Sequence, residues 1–149
     1  MIKHLGISLI AVLPVSATAG TWAEFVSHCL DPYEVFAVPV VGFPQMELAD
    51  RPETFSEDAV FYGPSGTGSI MVTDPLPPEG ERACAMMGAA ADADDFGDWR
   101  KAQIEAGRYL QERSGALLST DWIEPKIRLH SEIADSIAVY RIVETYLES

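Results

Sequence analysis

Arg82-Ala83-Cys84-Ala85-Met86-Met87-Gly88 reads as a strand, and the chain on either side of it is organised around it. Upstream is the rigid connection Pro75-Leu76-Pro77-Pro78-Glu79-Gly80. Downstream, an Ala/Asp turn leads into the longest helical pattern, Phe96 to Arg113. In that pattern Phe96, Trp99, Ala102, Gln103, Ala106, Tyr109 and Leu110 share one face, and Arg100, Lys101, Glu105, Arg108 and Glu112 fall largely off it. Gly107 sits inside the pattern, where glycine costs about 1 kcal/mol relative to alanine. Ser114-Gly115 closes it.

Cys84 is one of only two cysteines; the other is Cys29. Thr21-Trp22-Ala23-Glu24 has the form of a capping box, with Thr21 as N-cap and Glu24 reaching back to its amide. Trp22, Phe25, Val26 and Cys29 follow at i, i+3, i+4 and i+7, so the cysteine lies on the apolar stripe. Two cysteines without C-x-x-C spacing point to one structural disulfide, Cys29–Cys84, tying this helix to the strand. A zinc site would have to use both His28 and Cys29, which point about 100° apart on a helix. No metal and no cofactor is expected.

A covalent link of that kind calls for an oxidising compartment, and the start of the chain agrees. Lys3 and His4 precede an apolar run from Leu5 to Val15, and Ala17-Thr18-Ala19 has the small-x-small form of a cleavage site. The expectation is a cleavable signal peptide over residues 1–19, one domain over 20–149, and a periplasmic or secreted location. The run is too short for a bilayer span of about 20 residues, and no later stretch supplies one. The chain holds 10 basic and 23 acidic residues. Removing Lys3 with the leader leaves 9 against 23, or −14. Such a surface disfavours nucleic acid and anionic membranes.

Asp31-Pro32-Tyr33-Glu34 signals a second short helical turn to about Val38, and Gln45 to Asp58 reads as loop. Strands are expected at Ala59 to Gly63, Gly68 to Asp74, Ala116 to Ile123, Lys126 to Ile133 and Ile137 to Tyr146. Along Lys126 to Ile133 the polarity alternates, with Ile127, Leu129 and Ile133 on one side and Lys126, Arg128, His130 and Glu132 on the other. Ile137 to Tyr146 is apolar on both faces and belongs inside the sheet. The fold class is α+β: a mainly antiparallel sheet of about five to six strands, two helices on one face, and one of them tied down by the disulfide.

Motifs that could carry chemistry lack essential residues. Gly63-Pro64-Ser65-Gly66-Thr67-Gly68-Ser69 matches the glycine spacing of a phosphate-binding loop, but Ser69 stands where the lysine belongs and a strand follows in place of a helix. It is read as a turn between strands. Asp92-Ala93-Asp94-Asp95-Phe96-Gly97 resembles the start of a calcium loop, but Phe96 and Gln103 occupy two ligand positions. It is read as an acidic first helical turn with Asp92 or Asp95 as N-cap. No G-x-S-x-G elbow occurs.

What is left is a basic, aromatic surface. Lys126, Arg128 and His130 share a strand face, and Trp122, Tyr140 and Tyr146 are candidates to join them. A patch of that kind suits an anionic or carbohydrate ligand. The leading expectation is a small exported, non-catalytic binding or interaction module for an envelope protein or a small ligand, with no catalytic residue. The alternative is a hydrolase-like enzyme using His130 with Asp121 or Glu132.

Overall fold

The structure, a computed structural model, describes residues 20–31, 44–47, 55–77, 81–120 and 126–145. The expected leader over residues 1–19, the second helical turn expected after Asp31, and the residues Asp121, Trp122 and Tyr146 lie outside the described residues.

The chain enters through α1 (Thr21–Phe25), which widens into a π-helical turn over Val26–Leu30. Asp31 N–H donates to Val26 O at 2.7 Å, the five-residue step of that turn. The wider turn puts Leu30 as well as Cys29 on the buried side with Trp22 and Phe25. Among the described residues, eight strands follow, with one helix among them. They are β1 (Gln45–Met46), β2 (Val60–Tyr62), β3 (Ile70–Asp74), β4 (Ala83–Ala89), α2 (Ala93–Glu105), β5 (Tyr109–Gln111), β6 (Leu117–Ser119), β7 (Lys126–Ala134) and β8 (Ile137–Thr145). They form one sheet of order β1-β2-β3-β4-β8-β7-β6-β5, antiparallel throughout. Two four-strand meanders thus meet along β4 and β8, and α2 carries the chain from one to the other. β8 is interior, as its two apolar faces require.

Both helices cover one face. Trp22 and Phe25 of α1, Phe96 of α2, and Met71, Met86, Tyr140, Leu129 and Ile142 of the sheet form one buried cluster. The register explains the membership: Met71, Met86 and Tyr140 are successive cross-strand partners and point the same way. Cys29 and Cys84 are bonded, with Cα atoms 5.6 Å apart, so the π turn is clamped to the start of β4. The α+β class, the antiparallel sheet and the disulfide between helix and sheet agree with expectation.

The sheet has eight strands, against the five to six expected. One addition is β1, within the stretch read as loop; its two residues are too few to show a period. The other is β5, inside the stretch read as helix. α2 stops at Glu105, and Gly107 takes φ 70°. Gly107 N–H donates to Ile104 O and Arg108 N–H to Gln103 O, both at 3.0 Å, the reciprocal pair that seals a helix C-terminus. Gly107 is therefore a terminator, and Tyr109 is a buried strand residue.

The capping box is also corrected. Gly20, not Thr21, is the N-cap position of α1. Thr21 Oγ1 donates to Ala89 O at 2.8 Å, and Glu24 Oε2 accepts from Ser65 Oγ at 3.1 Å. Tertiary partners have taken both side chains that the local motif would have used. The Gly-rich stretch is the expected turn between β2 and β3, closed by Ser65 N–H donating to Ser69 O at 2.9 Å.

Candidate ligand groove

Alternation along β7 builds the site. Ile127 and Leu129 belong to the helix-side core, so Lys126, Arg128, His130 and Glu132 project from the face opposite the helices. β8 supplies their neighbours: Thr145 beside Lys126, Val143 beside Arg128, Arg141 beside His130 and Val139 beside Glu132. The sheet thus brings Lys126, Arg128 and His130 together on one face, as the sequence suggested.

Arg128 is held between Lys126 and His130 in this row. Its Nε donates to Glu112 Oε2 at 2.7 Å and its Nη2 to Glu112 Oε1 at 3.1 Å, with Nη1 3.4 Å from Thr145 Oγ1. The hydrogen bond to the Glu112 carboxylate raises the Arg128 pKa further above its ordinary value. Next along the row, His130 and Arg141 face each other across the strand pair. Arg141 Cζ lies 5.5 Å from the centroid of the Phe55 ring, which packs edge-on against Phe61 with centroids 5.7 Å apart. Phe55, Met87, Val139, His130, Glu132 and Arg141 enclose a groove of about 440 Å³. Its floor is apolar, because Met87 and Val139 are cross-strand partners on this face. Its rim is charged. The volume is that of a small-molecule site.

Phe55 is positioned from below. Ser56 N–H donates to Asp74 Oδ2 at 2.7 Å, Ser56 Oγ donates to Asp74 Oδ1, and Leu76 N–H donates to the same Oδ1 at 3.1 Å. Asp74 is buried at the end of β3, so it fixes the segment carrying Phe55 to the sheet.

Tyr140 does not belong to this surface. It points to the helix-covered face, fully buried, with its ring 5.1 Å from Trp22, 5.0 Å from Phe96 and 5.7 Å from Phe25. Burial, and secondarily the charge of Asp92, pushes its phenol up to about 12. One position in register decides the face: Tyr140 pairs with Ser131, not with His130. Sequence reading misses Phe55, Met87, Val139 and Arg141. Arg141 carries the one usable signal, a lone cation within an apolar strand.

A second cavity of about 280 Å³ lies on the helix side, beside the Gly-rich turn. Thr21, Thr67 and Ser69 line it, and their hydroxyls form a chain. Ser65 Oγ and Thr67 Oγ1 are 2.8 Å apart, Thr67 Oγ1 and Ser69 Oγ 3.2 Å, and Ser69 Oγ and Thr21 Oγ1 3.1 Å. The sheet separates these hydroxyls from His130. Among the described residues no group of three or more His, Cys, Asp or Glu side chains is placed to hold a metal ion. No family model, no curated protein and no solved structure matches this chain.

Proposed function

We propose that this protein is an exported, non-catalytic binding module, processed after Ala19, whose groove takes a small organic anion with an apolar body. The observation that carries this reading is the pairing of His130 with Arg141 over the Met87–Val139 floor, walled by Phe55. A cation stacked on an aromatic ring above apolar side chains complements a carboxylate attached to an aryl or alkyl group. In a chain of net charge −13, that spot is a local reversal of sign. The disulfide supports an oxidising compartment, and among the described residues no helix is long and apolar enough to cross a membrane.

The test is a titration followed by NMR, using phenylacetate and hexanoate with phenylacetamide as the uncharged control. Saturable shifts at the His130 ring and the Phe55 and Val139 resonances are expected with the carboxylates, weak with the amide, and lost in Arg141→Gln. Equal shifts with acid and amide, or none, would remove the anion reading. His130 and Glu132 line the same groove, and this observation carries the hydrolase-like alternative. Turnover of an activated aryl ester that disappears in His130→Ala would replace the binding reading with the enzymatic one.

A further inference from the structure

Gly20 opens α1 as its N-cap position, with its carbonyl accepting from Glu24 N–H at 3.1 Å, and it is buried. The side chain that caps this helix comes from elsewhere. Asp92, at the start of α2, accepts Trp22 N–H on Oδ1 at 3.0 Å and Ala23 N–H on Oδ2 at 2.9 Å. A Cβ on Gly20 would lie 2.2 Å from Asp92 Cγ. The carboxylate therefore occupies the space of the side chain that an N-capping aspartate at position 20 would have had. Glycine is the residue that leaves that space open.

Asp92 is half-buried, and among the described residues no cationic side chain pairs with it. Its charge is felt at Tyr140, whose buried hydroxyl has no hydrogen-bond partner among the described residues. Among the described residues this is a carboxylate with two amide donors and no cationic side chain beside it.

We propose that the missing cation is the chain's own α-ammonium at Gly20, and that Asp92 is its receptor. This rests on the processing proposed above. An endopeptidase that reads Ala17-Thr18-Ala19 hydrolyses the Ala19–Gly20 peptide bond. Water supplies the hydroxyl for the Ala19 carboxyl and a proton for the Gly20 nitrogen, and a second proton from solvent makes the ammonium. That nitrogen is bonded to the Cα on which Asp92 packs, so bond geometry puts it within about 5 Å of the carboxylate carbon. An opposite charge at that range raises the α-amine above its ordinary value of about 8. The pair also cancels the repulsion between an ammonium and the positive end of α1. Removal of the leader and docking of the first helix are thereby the same event in charge terms.

The test uses the chain beginning at Gly20, with the amine free or Nα-acetylated, each with Asp92 or with Asp92→Asn. Acetylation is expected to lower the melting temperature by several degrees with Asp92 present and by clearly less in the Asp92→Asn chain. An equal effect in both, or none, overturns the pair and leaves the processing standing. Should the variant not fold, the amine pKa in the unaltered chain decides: a value at or below about 8 overturns the pair. Intact mass of exported material is expected to show Gly20 as first residue. A different first residue overturns the processing and, with it, the pair in the native protein.

Discussion

Gly88 on β4 faces the Thr21 hydroxyl so closely that a Cβ at position 88 would lie 2.6 Å from Thr21 Oγ1 and 2.7 Å from Ser69 Oγ. Those two hydroxyls are 3.1 Å apart, and Thr21 also donates to Ala89 O, so the glycine lets α1 latch onto the sheet. Gly88→Ala is expected to cost about 2 kcal/mol in urea denaturation, because neither hydroxyl can yield without breaking a buried bond. Gly97→Ala is the internal control. Position 97 lies within α2 with nothing near its missing side chain, so alanine there is expected to raise stability by about 1 kcal/mol. Equal effects of the two substitutions would refute the close approach.

The disulfide joins residues 55 apart in sequence. Closing a loop of that size restricts the unfolded chain by about 4 kcal/mol in the chain-entropy account. Cys29→Ala with Cys84→Ala is therefore expected to lose roughly that amount, read as a lower urea midpoint. The near-ultraviolet circular dichroism of the Trp22, Phe25 and Tyr140 cluster is expected to weaken with it, because α1 then docks by non-covalent contacts alone. An unchanged midpoint would mean that packing and hydrogen bonds hold the helix without the covalent link.

The link between Cys29 and Cys84 is legible because two cysteines allow one pairing and both lie on apolar faces. The strands of β7 and β8 are legible because their polarity alternates or is continuous over nine residues each. The same alternation puts Lys126, Arg128 and His130 on one surface. It cannot say which residue of β8 faces which residue of β7, and that register decides between Arg141 and Tyr140 as His130's neighbour. Phe55 reaches the groove because Asp74 ties the adjoining Ser56 to β3, a contact across 18 positions with no sequence signature. Asp92 reads in sequence as a cap for its own helix. Its carboxylate serves α1 instead, and only the packing of the two helices brings them within reach.

Tyr140 makes alkaline stability measurable. Its folded-state pKa of about 12 lies above the ordinary 10 because burial, then the Asp92 charge, disfavours the phenolate. Burial also raises Tyr109, with a small opposing pull from Arg108. A raised folded pKa means that this stability is whole below pH 10 and is lost as pH climbs toward 12, by up to about 1.4 kcal/mol per unit for each group. Urea midpoints are expected to be flat from about pH 8 to 9.5 and to fall above 10. Tyr140→Phe is expected to flatten part of that fall. It also removes a buried hydroxyl that has no hydrogen-bond partner among the described residues, so it is expected to gain about 1 kcal/mol at neutral pH. A loss at neutral pH would show that the hydroxyl is satisfied after all.

Gly107→Ala separates two readings of one stretch by sign. The stripe of Phe96, Trp99, Ala102, Ala106 and Tyr109 continues at helical spacing past Glu105, and on that basis the helix would run to Arg113 with a glycine inside it. Alanine at 107 would then be worth about 1 kcal/mol in favour of the fold. The structure has the opposite requirement. Gly107 stands at φ 70° with nothing near its missing side chain, so the cost of alanine is purely one of backbone conformation, about 1–2 kcal/mol against the fold. The two outcomes differ by at least about 2 kcal/mol, well beyond the error of a urea midpoint. Tyr109 shows why the left-handed turn prevails. Its ring meets Trp99 at 5.4 Å from the sheet side, as a residue of β5, and that burial offsets ending the helix early. Leu110, next along, is left 60% exposed, which an extended strand at the sheet edge demands and a continued apolar helical stripe would not.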